Sequence, residues 1–139
     1  MEKYNKILER IEGRIGNTTT YDFQLEDLAI SLLGGRFNGV FPLDEIPTLK
    51  DGYYIINLDK SYQPGSHWCS IAVSKGDAIF YDSFGRTSEL SQIPELSKLN
   101  IRFTDPDAEQ SITQTNCGAR CISWCVLHYL YGDRIALSI

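Results

Sequence analysis

Tyr4, Ile7, Leu8, Ile11 and Ile15 recur at helical spacing in an otherwise charged segment, which predicts an amphipathic helix ending around Gly13 to Gly16. A second helix, starting near Thr20 or Asp22, is expected to bury Leu25, Leu28, Ala29, Leu32 and Leu33. It stops at Gly34-Gly35, the residues best able to take a left-handed C-terminal turn. The stretch RFNGVFPLDEIPTLKDG is broken by Gly and Pro and reads as a long loop or a few short turns. YYIINL, residues 53 to 58, is aromatic and β-branched and reads as a strand. HWCSIAV and AIFYDSF, residues 67 to 73 and 78 to 84, flank SKGD and form a hairpin. SELSQIPELSKL reads as a short helix or irregular crossover, followed by a brief strand around Ile101 to Phe103. DPDAEQSITQTN is a polar loop. From Cys117 to Tyr131 apolar residues occupy nearly every face of a helix that Gly132 can close, so this helix belongs in the middle of the fold.

These elements predict an α+β fold, a small mixed or antiparallel sheet packed around a central helix, in one domain spanning residues 1–139. A chain of 139 residues buries most of its apolar surface without disulfides or a structural metal. Charge narrows the partners. A net charge of −5, with Lys and Arg scattered among acids, disfavours a nucleic-acid surface. The charged N-terminus lacks the apolar core of a signal peptide, and no run approaches the length of a membrane span, so the expectation is an intracellular protein away from membranes. Cys69, Cys117, Cys121 and Cys125 are expected to be free thiols, since three share one helix and no secretory signal is present.

The hairpin carries the first chemical geometry. With a loop of two or four residues, opposed positions sum to an odd number, which puts His67 and Asp82 on one face, opposite or one step diagonal. A three-residue loop would separate them. An Asp bonded to one ring nitrogen orients a histidine and stabilises its imidazolium, the relation of an orienter to a general base. At the start of its helix, Cys117 meets unpaired backbone N–H groups and the positive end of the helix dipole, which favour a thiolate nucleophile. The stripe Cys117, Cys121, Cys125 and His128 does not make a metal site: Cys117 and Cys125 stand about 12 Å apart along the axis, far beyond the reach of one Zn²⁺. Cys121 and Cys125 are read as packing residues, and Cys69 as a neighbour of His67 on the same strand face. An acyl-transfer site also needs donors for the oxyanion. The Cys117 N–H is one, and the side-chain amide of Gln110 or Gln114 in the preceding loop is another.

With His67-Trp68, the YDSFG segment around Asp82, a loop glutamine and Cys117-Gly118 in that order, the sequence resembles the adenain-type cysteine proteases, the adenovirus maturation enzymes grouped with the ubiquitin-like-protein-specific proteases. The likeness extends over residues 20 to 132 and is closest to the viral, virophage and Polinton branch. It implies a papain-like arrangement with the catalytic residues in reversed chain order. In that branch the glutamine lies seven residues before the cysteine, which favours Gln110 over Gln114.

The resemblance implies a cysteine endopeptidase that cuts viral capsid or other structural-protein precursors after Gly-containing sites in an infected host cell. Its catalytic residues would be His67, Asp82, Cys117 and Gln110. No cofactor or metal is expected, and the acidic balance gives no support for a DNA activator. The nearest alternatives are an isopeptidase acting on ubiquitin-like proteins or an acetyltransferase of the same residue order. A catalytically silent binding module is the alternative from another class.

Overall fold

The computed structural model describes residues 1–16, 22–57, 67–82, 94–104 and 117–139. Helices α1 (Glu2–Ile15) and α2 (Asp22–Leu33) precede strands β1 (Phe37–Pro42) and β2 (Gly52–Asn57). The hairpin strands β3 (Trp68–Ser74) and β4 (Asp77–Tyr81) follow, then β5 (Asn100–Phe103), α3 (Cys117–Tyr131) and the short α4 (Asp133–Leu137). The five strands form one mixed sheet in chain order. β1 runs parallel to β2, β2 and β4 antiparallel to β3, and β5 parallel to β4. The fold is therefore α+β, as the periodicities predict.

Both faces of the sheet are covered, which explains why β2, β3 and β4 are buried almost continuously and do not alternate with polar positions. On one face Tyr53, Ile55, Trp68, Ala72, Ile79 and Tyr81 join the helical residues Tyr4, Leu8, Leu25, Ile122 and Trp124 in the main core. On the other, Tyr54, Ile56, Cys69, Ile71, Val73 and Phe80 pack with Leu96 from a short helical turn, Pro94–Lys98. α3 is the axis of the first layer: every residue from Cys117 to Cys125 is buried. Its position is set by polar as well as apolar contacts. Trp124 stacks on Tyr81 at 5.5 Å between ring centroids, and its Nε1 donates to the Ala136 carbonyl at 3.1 Å. Ser70 Oγ on β3 donates to the Cys121 carbonyl at 3.0 Å. Among the described residues no helix is long and apolar enough to cross a membrane.

Three expectations change. Residues 37–42 are not loop but strand β1. Gly39 takes φ +133° at a register shift, and Pro42 lies at an edge strand's end, so breaker residues disguised a strand on the sheet's rim. Leu32 is 37 % exposed and outside the core that holds Leu33. α4 was not anticipated, because five residues are too few to show a helical period.

Two glycines separate conformational need from simple tolerance. A Cβ on Gly52, at φ +132°, would lie 2.6 Å from the Arg36 carbonyl oxygen, whereas one on Gly13 in α1 meets nothing within 4 Å. Gly52→Ala is expected to destabilise by roughly 1–3 kcal/mol. Gly13→Ala should stabilise by roughly 0.5–1 kcal/mol. Urea unfolding midpoints check both, and equal shifts would contradict this backbone geometry.

Candidate active site

Lys75 and Gly76 form the hairpin's two-residue turn, between the paired residues Ser74 and Asp77, and both have positive φ, 52° and 84°. Such a turn matches the natural twist of its strands. It fixes the register down the ladder, with Ser70 opposite Tyr81 at the far end. One further step sets Cys69 opposite Asp82, and His67 lies one diagonal away on the same face. The even-loop alternative weighed from the sequence is therefore the one observed.

His67 Nε2–H donates to Asp82 Oδ1 at 3.0 Å, with side-chain exposures of only 10 % and 2 %. The Cys69 sulfur lies 3.6 Å from the same nitrogen. Cys117 is the first residue of α3, buried, and close enough to His67 to act on its proton affinity through hydrogen bonding and charge. Three of the four residues singled out from the sequence thus come together: one from the approach to β3, one just past β4 and one from the head of α3. Gln110 and its alternative Gln114 lie outside the described residues.

Burial by itself disfavours the charged imidazolium of His67. The hydrogen bonds to Asp82 and Cys117 and the negative charge on these partners outweigh it, raising the His67 pKa from 6.5 to about 9. The remaining helix cysteines differ in setting. Cys121 and Cys125 are fully buried in the core, and burial pushes both thiols up, Cys125 to about 12. A thiol held neutral in apolar surroundings is a poor nucleophile. Their expected packing role agrees with this environment, and all four cysteines are free.

At the opposite end of α3, His128 has a polar setting that periodicity did not reveal. Its Nε2–H donates to Asp133 Oδ1 at 2.6 Å, and its Nδ1 shares a 2.6 Å hydrogen bond with the Tyr53 hydroxyl. Arg102 closes the chain with a 2.9 Å bond to Asp133 Oδ2. The bond from His128, ahead of that from Arg102, holds the Asp133 carboxyl below its ordinary value. This group ties α3 to β2, β5 and α4, far from Cys117.

The comparisons with known proteins give no family: no protein-family model matches the chain, and a search of curated proteins finds no match. The chemistry must be argued from the residues.

Because the folded protein binds the His67 proton more tightly than the unfolded chain, this contribution to stability is complete below about pH 6.5 and is lost as pH rises through about 9. An NMR titration of the imidazole should show a midpoint near 9. In Asp82→Asn, where burial is less opposed, the midpoint should fall. An unchanged midpoint in the variant would remove Asp82 as the cause.

Proposed function

We propose that this protein is a cysteine endopeptidase of the adenain type, with the papain-like catalytic arrangement in reversed chain order, and that it processes viral capsid precursors at Gly-containing sites. The observation that carries the reading is one histidine placed between two functional partners: Asp82 at its Nε2, and Cys117, at the head of a buried helix, acting on the same ring. With Nε2 committed to Asp82, Nδ1 is the nitrogen left to exchange a proton with the Cys117 thiol. A His67 that keeps its proton up to about pH 9 favours the ion pair of imidazolium and thiolate.

The thiolate attacks the carbonyl carbon of the scissile peptide. The Cys117 N–H, at the start of α3, is one donor to the developing oxyanion, and the Gln110 amide is the second. Collapse of the tetrahedral intermediate breaks the C–N bond, and the leaving amine takes the proton from His67. Water, losing a proton to His67, then hydrolyses the thioester and restores the Cys117 thiolate beside the protonated His67. Asp82 holds the ring in one orientation throughout and balances its positive charge.

The substrate assignment rests on the resemblance in motif order. The acidic chain supports a polypeptide substrate over a nucleic acid. Incubation with capsid precursors from its own genome, followed by mass-spectrometric mapping of new N-termini, tests both reaction and substrate. Cys117→Ala should abolish cleavage, and Gln110→Ala should lower kcat by about 100- to 1,000-fold. Cleavage undiminished in Cys117→Ala would overturn the reading, and a severe loss in Gln114→Ala with a mild one in Gln110→Ala would reassign the second donor. Transfer from acetyl-CoA, or cleavage restricted to ubiquitin-like conjugates, would replace the endopeptidase by those reactions.

A further inference from the structure

The register that joins His67 to Asp82 also brings Cys69 to them, and the proposed protease chemistry gives this thiol no task. Cys69 faces the sheet side away from α3, packed with Ile71, Val73 and Phe80. Its sulfur nevertheless lies 3.6 Å from His67 Nε2, the nitrogen that donates to Asp82 at 3.0 Å. One ligand atom from each of the three residues falls within 4.8 Å of the other two, and all three residues are buried.

We propose that His67, Cys69 and Asp82 form a binding site for Zn²⁺, and that the metal reversibly inhibits the enzyme. Tetrahedral zinc, with bonds of about 2.0 to 2.3 Å, sets its nitrogen and sulfur ligands about 3.5 Å apart and its nitrogen and oxygen ligands about 3.4 Å apart. The first separation is already present, and a small rotation of the Asp82 carboxylate provides the second. The donor set of one thiolate, one imidazole and one carboxylate suits Zn²⁺ or Co²⁺ and is poorly matched to Mg²⁺ or Ca²⁺. Charge also balances. Binding releases the Nε2 proton of the imidazolium and the Cys69 thiol proton, so a dication meets two anionic ligands and no net charge is buried.

Inhibition follows from which nitrogen the metal takes, a conclusion that rests on the proteolytic reading. With the metal on Nε2, the neutral ring keeps its proton on Nδ1. No lone pair then remains to accept the Cys117 proton, and Asp82 no longer orients the ring as a base. The metal would leave Cys117 untouched and disable its partner.

Co²⁺ titration of the reduced full-length protein tests the site without any substrate. Wild type and Cys117→Ala should each take one equivalent, with thiolate-to-cobalt charge-transfer bands and the visible bands of tetrahedral Co²⁺, both bleached by Zn²⁺. Cys69→Ala and Cys69→Ser, shown to be folded by circular dichroism, should lose the charge-transfer bands. His67→Gln provides a second check, with at least tenfold weaker binding expected. Bands that survive in both Cys69 variants, or that vanish in Cys117→Ala, would overturn the assignment, as would their absence from folded wild type. With the capsid precursors as substrate, Cys69→Ala should raise the inhibitory Zn²⁺ concentration at least tenfold, and an unchanged value would refute the inhibitory role. Cobalt bands in a metal-free-inactive protein would support the site while telling against proteolysis.

Discussion

The two-residue turn at Lys75–Gly76 governs more of this molecule than its size suggests. A single added residue would change the parity of the β3–β4 ladder and send His67 and Asp82 to opposite faces. The core would suffer as well, since Ile71 and Phe80 share one layer while Ala72 and Ile79 share the other. A packed sheet and the His67–Asp82 contact therefore depend on the same turn. Positive φ at both central residues is the local cost, and the glycine at the second position reduces it.

Burying His67 and Asp82 removes both from water, which is unfavourable unless their hydrogen bond and opposite charge compensate. The 3.0 Å bond provides that compensation, and it makes the pair sensitive to the loss of either member. Arg120, another buried polar residue, is handled similarly: its guanidinium donates to the Tyr4 hydroxyl at 3.4 Å, and Tyr4 in turn bonds Tyr81 at 2.7 Å. Polar groups thus link α1, α3 and β4 within the principal core, where directional bonds resist the sliding that apolar packing alone permits.

Much of this organisation was legible in the sequence because it depends on local period. Tyr4, Leu8 and Ile11 mark α1, the apolar run after Cys117 marks α3, and the parity of the hairpin gives the relation of His67 to Asp82. Features set by distant parts of the chain were harder to read. β1 forms as a strand because β2 offers a parallel edge, despite Gly39 and Pro42. His128 gains its partners from β2 and α4, neither of which can be inferred from the period of its own helix. Cys69 was recognisable as a neighbour of His67, but its closeness to Asp82 became apparent only with the turn length established. Gln110 lies outside the described residues, and the role proposed for it comes from spacing and resemblance.

Ser70 holds the Cys121 carbonyl, and Tyr53 holds the His128 ring, seven residues and about two helical turns further along the same side of α3. The helix is thus a rod pinned at two points on one line. Sliding along the sheet or rolling on its axis would break one or both bonds. The section ahead of the first pin, from Cys117 to Arg120, is only about one turn long. Any adjustment of the Cys117 sulfur is therefore confined to that turn, while the remainder of α3 serves as a fixed reference.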